Sequence, residues 1–141
     1  MTRSKFCLVT LCLLALFSQT AYAAKRVLLQ DETAASIFSA YTDADLAQLV
    51  SEINGDGVLP QDVYEKVEIS GSVTSLDPLN EKLRWYNGSL TVYDTQALTD
   101  INLSNLNYVY FLDILRNNQA ETLNLASLQE IGDTFFISDN T

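Results

Sequence analysis

Apolar and polar positions alternate in four short stretches of the second half of the chain: Val67-x-Ile69, Leu90-x-Val92, Leu112-x-Ile114 and Phe135-x-Ile137, separated by 23, 22 and 23 residues. Period-two alternation predicts strands with one buried face. The intervening positions recur as well. Ile101-x-Leu103-x-x-Leu106-x-x-Val109 matches Leu123-x-Leu125-x-x-Leu128-x-x-Ile131 at a constant offset of 22, and a more diverged copy runs Leu76-x-x-Leu79-x-x-x-Leu83 ahead of Asn87-Gly88. A leucine-led period of roughly 20 to 29 residues with one strand per unit marks a solenoid. Each unit has apolar positions on two walls and closes its core only against stacked neighbours. Polar pairs after the strands, Asp94-Thr95, Asn117-Asn118 and Asp139-Asn140, fall on one corner of successive coils, placed to bond turn backbones otherwise left without partners.

Upstream the pattern changes to a helical one. Thr42 is a good N-cap, Asp43 and Asp45 lie in the first turn, Leu46, Leu49, Val50 and Ile53 form one apolar face, and Asn54-Gly55 supplies a stop. A second short helix is expected over Thr33 to Tyr41, with Ile37, Phe38 and Tyr41 on one face, while Val27-Leu28-Leu29 reads either as part of a loose leader or as a docking strand. The expectation is a mainly β protein: a short right-handed parallel β-solenoid, leucine-rich-repeat-like, with 22–23-residue coils. A helical N-terminal cap would occupy residues 24–64 and about three coils residues 65–141.

The first residues alter the meaning of the composition. Arg3 and Lys5 precede an uncharged apolar run from Phe6 to Phe17 and the small-x-small triplet Ala21-Tyr22-Ala23. This is the pattern of a secretory signal peptide over residues 1–23, cleaved near Ala23, and it implies a secreted or periplasmic protein. The run is shorter than the roughly 20 residues a spanning helix needs, and none longer follows, so no membrane span is expected. Both cysteines, Cys7 and Cys12, fall in this leader, so no disulfide is expected beyond it. The whole chain carries a formal charge of −10; losing Arg3 and Lys5 leaves six basic against eighteen acidic side chains, or −12. That balance argues against nucleic acid and anionic membranes. With no histidine, the Ser-His-Asp triad, the Cys-His pair and His-ligated metals are excluded.

The repeat resembles the receptor L domain, a leucine-rich-repeat-like β-solenoid of receptor ectodomains and of secreted or cell-wall microbial proteins. The residues that carry the resemblance are Leu125 to Asn140, with Leu128, Ile131, Gly132, Phe135 and Ile137 at the unit's marked positions, and Ile69 to Leu79. It covers roughly Val67 to Thr141. The unit-closing glycine is present at Gly88 and Gly132 but absent at Val109-Tyr110, and the cysteine-rich flanks of the receptors are missing. The resemblance implies a disulfide-free microbial relative with a recognition role. The alternative is an unrelated β-rich or α+β domain whose leucine spacing imitates a repeat.

Three sets of residues are candidates for chemistry. Glu52, Asn54 and Asp56, within Glu52-Ile53-Asn54-Gly55-Asp56-Gly57-Val58-Leu59, copy the opening of an EF-hand-type calcium loop. The pattern then fails at Pro60 and Val63, so a Gly-rich helix-to-strand connection is the preferred reading and no cofactor is expected. Trp85, Tyr86, Tyr93, Tyr108 and Tyr110 cluster near strand starts and coil edges as a candidate contact surface for a protein or glycan, whereas at least one of Phe111, Phe135 and Phe136 must point inward. The scattered carboxylates read as a solvated surface, with a small acid-dependent hydrolase as the alternative. The preferred reading is a non-enzymatic binding module. At the carboxy terminus, Phe135-Phe136-Ile137 would leave an open coil, with three explanations: a truncated gene product, an end-to-end homo-oligomer, or an edge reserved for a partner strand.

Overall fold

The computed structural model describes residues 37–60 and 64–140. The expected leader over residues 1–23, its expected cleavage near Ala23 and the strand-or-leader segment at Val27-Leu28-Leu29 lie outside the described residues. The elements are β1 (Ile37–Ala40), α1 (Asp43–Ser51), β2 (Lys66–Gly71), α2 (Asp77–Lys82), β3 (Trp85–Thr95), β4 (Asp100–Asn102), β5 (Tyr108–Leu115), β6 (Thr122–Asn124) and β7 (Glu130–Ser138).

The long strands form one parallel sheet in the order β1-β2-β3-β5-β7, and β4 and β6 form a second parallel pair on another wall. The sheet register reproduces the sequence period. Val67 pairs with Leu90, Leu90 with Leu112 and Leu112 with Phe135, while Ile69, Val92, Ile114 and Ile137 form the adjacent row. Ile101 pairs with Leu123 on the second wall, at the offset of 22 read from the leucines. The protein is a short parallel β-solenoid, mainly β, whose like residues stack in columns through the core.

From β2 through β5 those columns are buried. Val67, Ile69, Leu90, Val92, Leu112 and Ile114 from the sheet meet Val73, Leu76, Leu79, Leu83, Leu98, Ile101, Leu103 and Leu106 from the other walls, and all are buried. Burying such a side chain contributes about 1.5–3 kcal/mol, and stacking buries one set per coil.

Helix α1 follows its sequence signals. Thr42 Oγ1 accepts from the Asp45 N–H and Asp45 Oδ2 accepts from the Thr42 N–H at 3.0 Å, a reciprocal capping box, and Leu46, Leu49 and Val50 face the core. The segment expected as a preceding helix instead gives β1. Phe38 and Ala40 are buried with their neighbours more open, and they pair with Val67 and Ile69 at an offset of 29. Of the stretch Thr33 to Tyr41 only residues from 37 on are described, and there the edge of β2 supplies a ready template that pairs every residue of β1. The first coil therefore begins inside the stretch assigned to the helical cap, and α1 is its crossover. The second coil also uses a helix, α2, started by Asp77-Pro78 and ended at Lys82, where the later coils use β4 and β6.

Candidate functional site

The aromatic candidates separate into distinct environments once the register is known. Between Tyr86 and Ser89 on β3 two residues, Asn87 and Gly88, face the single Tyr110 of β5, and on its other side Tyr110 faces Gly132 and Asp133 of β7. Each pair is a β-bulge, which accounts for the steps of 22 and 23 and for the missing glycine at Tyr110: that coil lacks the extra residue. The bulge glycines accept rings. A Cβ on Gly88 would overlap the Tyr86 ring, and one on Gly132 would overlap the Tyr110 ring and the Tyr108 hydroxyl.

At the strand starts, Trp85 and Tyr108 are register partners and their rings stack with centroids 4.0 Å apart and planes 15° from parallel. The Tyr108 hydroxyl donates to Asn87 Oδ1 at 3.2 Å, which pins the lower ring. Trp85 remains 45% exposed above it and Tyr110, 38% exposed, stands edge-on to Phe111 at 4.7 Å. The backbone under Trp85 is held as well: its N–H and that of Arg84 donate to the Gly57 carbonyl, and its carbonyl accepts from the Leu59 N–H. Trp85 on Tyr108 and Tyr110 against Phe111 thus form two ring pairs near the starts of β3 and β5, with the Tyr108 hydroxyl and the Tyr110 ring both beside Gly132, and together they make an aromatic strip.

Two candidates leave the set. Tyr86 was expected at the surface but is fully buried, because it shares the inward face of β3 with Gly88, Leu90 and Val92, and Gly88 leaves room for its ring; its hydroxyl donates to the Tyr64 carbonyl at 3.1 Å, and burial, with Glu65 nearby, pushes its phenol well above the ordinary range. Tyr93 lies near the other end of β3, about 25 Å along the strand from Trp85 at 3.3 Å per residue, half-buried beside Leu115 on the sheet's outer face. Conversely, Asn87, Phe111 and Gly132 belong to the strip although composition alone did not mark them as surface partners. The signal was the bulge glycine at the repeat position, read as a unit boundary rather than as a seat for a ring.

The calcium-loop candidates sit elsewhere. Asn54 Oδ1 accepts from the N–H groups of Asp56 and Val58 at 3.0 and 2.9 Å, so its lone pairs close the turn. Glu52 is the C-cap of α1, Asp56 is exposed, and the neighbouring depression of about 460 Å³ is also lined by Lys82 and Arg84. The loop has a structural job in the repeat. The carbonyls of Gly57, Arg84 and Asn107 each accept from two consecutive N–H groups of the following coil, Arg84-Trp85, Asn107-Tyr108 and Gln129-Glu130. Gly57, at φ 78°, is the first step of this column, and a Cβ there would meet the Lys82 carbonyl at 2.6 Å.

The corner foreseen after the strands is a second column. Gly71, Asp94, Arg116 and Asp139 all take positive φ, and beside them Asn117 and Asn140 reach back to the Val92 and Ile114 carbonyls at 2.9 and 2.8 Å. Arg116 forks onto Asp94 with bonds of 2.9 and 2.8 Å, which hold the Asp94 carboxyl below its usual range.

No helix among the described residues is long and apolar enough to cross a membrane, and none of their His, Cys, Asp and Glu side chains gather in threes as a metal cluster. The fold and its edge define a class, the short parallel β-solenoid with an aromatic strip. Beyond that class, the chain matches no protein-family model, no curated protein and no solved structure.

Proposed function

We propose that this chain is a secreted or periplasmic, non-enzymatic recognition module of the leucine-rich-repeat type, akin to the receptor L domain, that binds a protein or glycan ligand through its aromatic strip. The observation that carries this reading is the Trp85–Tyr108 stack, held flat by the Asn87 bond with Trp85 nearly half exposed. Stacked rings fixed by backbone and side-chain bonds offer a large apolar contact at little entropic cost, since nothing must be ordered when the ligand arrives. A pyranose face or an apolar peptide side chain fits such a surface. The signal-peptide pattern at residues 1–23 supports an extracytoplasmic location.

Trp85 is the single tryptophan, so its fluorescence reports on the strip directly. A glycan array and a pull-down would supply ligands. Each should shift Trp85 emission, and Tyr110→Ala should weaken binding about tenfold or more while the melting curve stays in place. Ligands that bind with unchanged emission and tolerate Trp85→Ala would overturn the reading. Turnover of a ligand that stops when a carboxylate pair is removed would establish the hydrolase instead.

A further inference from the structure

Three dipeptides among the described residues join a side-chain carbonyl to a following glycine: Asn54-Gly55, Asp56-Gly57 and Asn87-Gly88. Glycine puts no side chain beside its own nitrogen, so that nitrogen can reach the preceding side-chain carbon and close a succinimide ring; asparagine is thermolabile by this route. The three share one sequence chemistry. The structure separates them.

Asn54-Gly55 has the attacking group free and the attacked group activated. Both residues are exposed, the Gly55 N–H takes no partner among the described residues, and nothing lies within 4 Å of the place a Gly55 Cβ would occupy. Asn54 Oδ1 accepts from the N–H groups of Asp56 and Val58 at 3.0 and 2.9 Å. As the Gly55 nitrogen attacks Asn54 Cγ, negative charge develops on that same oxygen. Two fixed backbone donors aimed at it make an oxyanion hole.

The other two sites lack this combination. The Gly57 N–H donates to the Asn54 carbonyl at 3.0 Å, so the nitrogen next to Asp56 is engaged, and Gly57 is buried. Asn87 and Gly88 lie inside β3 between residues paired with β5 on either side, Tyr86 with Val109 and Ser89 with Phe111. Ring closure there would have to turn the backbone out of the sheet, and the Gly88 position is filled by the Tyr86 ring.

We propose that Asn54 is a self-modification site, losing ammonia to become aspartate or isoaspartate at position 54. The Gly55 nitrogen bonds to Asn54 Cγ and gives its proton to hydroxide from solvent, while the carbonyl electron pair moves onto Oδ1 between its two N–H donors. The pair returns as the Cγ–Nδ2 bond breaks, and the nitrogen takes a proton from water and leaves as ammonia. Water then opens the succinimide at either carbonyl; one gives aspartate, the other isoaspartate. The isoaspartate product lengthens the main chain by one carbon shortly before Gly57, whose carbonyl holds the N–H groups of Arg84 and Trp85, so the change reaches the backbone beneath Trp85. None of this rests on ligand recognition by the aromatic strip.

The test holds the purified protein at mildly alkaline pH, folded and in urea, and follows each dipeptide by peptide mass spectrometry, with isoaspartate located by enzymatic carboxyl methylation. Asn54 should convert at least as fast folded as in urea, whereas folding should slow Asn87 about tenfold or more. Gly55→Ala, whose Cβ has open space, should slow conversion at position 54 about tenfold while the melting curve stays in place. Converted protein should shift Trp85 emission, and Asn54→Asp, which keeps the main-chain length, should not. Equal slowing of Asn54 and Asn87 by folding, isoaspartate at Asp56 ahead of position 54, or parental conversion in Gly55→Ala would each overturn the proposal, and unshifted emission in the fully converted protein would overturn its reach to Trp85.

Discussion

Asn140 Oδ1 accepts the backbone N–H of Asn117 at 2.9 Å, and Asn117 Oδ1 in turn accepts the Thr95 hydroxyl and N–H, so each corner amide serves the coil before its own. Asn117 is fully buried and also donates to the Val92 carbonyl. Backbone bonds cross the same corner, from the Gln96 N–H to the Gly71 carbonyl and from the Arg116 N–H to the Ser138 carbonyl, and the corner amides add side-chain bonds beside them.

Replacing Asn117 by Ala leaves the Val92 carbonyl and the Thr95 N–H buried without their partners. Each such group costs about 1–3 kcal/mol, so Asn117→Ala should destabilise the protein by about 2–4 kcal/mol. Urea denaturation followed by far-UV circular dichroism checks this; a loss under about 1 kcal/mol would show that water replaces the amide. Asn140→Ala, on the partly open last coil, should cost less.

Gly88 is constrained by its neighbour rather than by its own backbone angle. A methyl group there overlaps the Tyr86 ring, which is enclosed in the core with its hydroxyl on the Tyr64 carbonyl. Gly88→Ala should therefore cost about 1–3 kcal/mol, as overpacked sites do, and should render Tyr86 easier to ionise in an alkaline absorbance titration. Tyr86→Phe removes only the hydrogen bond and should cost about 0.5–1.5 kcal/mol.

Arg116 combines an exposed ion pair with a positive φ of 51°. A fully exposed pair, screened by solvent, contributes little, whereas a left-handed residue with a Cβ costs about 1–2 kcal/mol relative to glycine. Arg116→Gly should accordingly be close to neutral and Arg116→Ala clearly worse. Equal melting temperatures for the two variants would contradict this balance.

Asp43 ties α1 to the next coil: its carboxylate accepts the Thr74 hydroxyl and N–H at 2.6 and 2.8 Å, bonds that lower its pKa below the ordinary 3.8. Because the folded state holds the proton less tightly than the unfolded one, this contribution is complete above the unfolded pKa near 4 and is lost as pH falls through the lower folded value. Thermal melts should show Asp43→Asn losing less stability than the parent between about pH 4 and pH 2.

The repeat was legible because a solenoid writes its register into the chain. Leu90, Leu112 and Phe135 must each lie above the last, so constant spacing in the sequence becomes a column in space. The capping box at Thr42 and Asp45 and the corner asparagines were legible for a related reason, since their bonds depend on the local backbone path. Within the stretch Thr33 to Tyr41, expected as a helix with Ile37, Phe38 and Tyr41 on one face, residues 37–40 are a strand, because so short an apolar run fits either period and only the edge of β2 distinguishes them. The aromatic strip was half visible: Trp85, Tyr108 and Tyr110 belong to it, whereas Tyr86 extends the alternation of Leu90 and Val92 inward, and its ring fits there because Gly88 on the same face has no side chain.

The sequence by itself determined the coil period, the inward-facing pairs and the polar corner, because these follow from periodicity and short-range hydrogen bonding. Tertiary structure alone decided which apolar side chains are covered. Leu112 and Phe135 carry the same pattern in the same register, yet one is buried and the other open. Periodicity marks the face a residue presents, whereas burial depends on a neighbouring coil lying against that face.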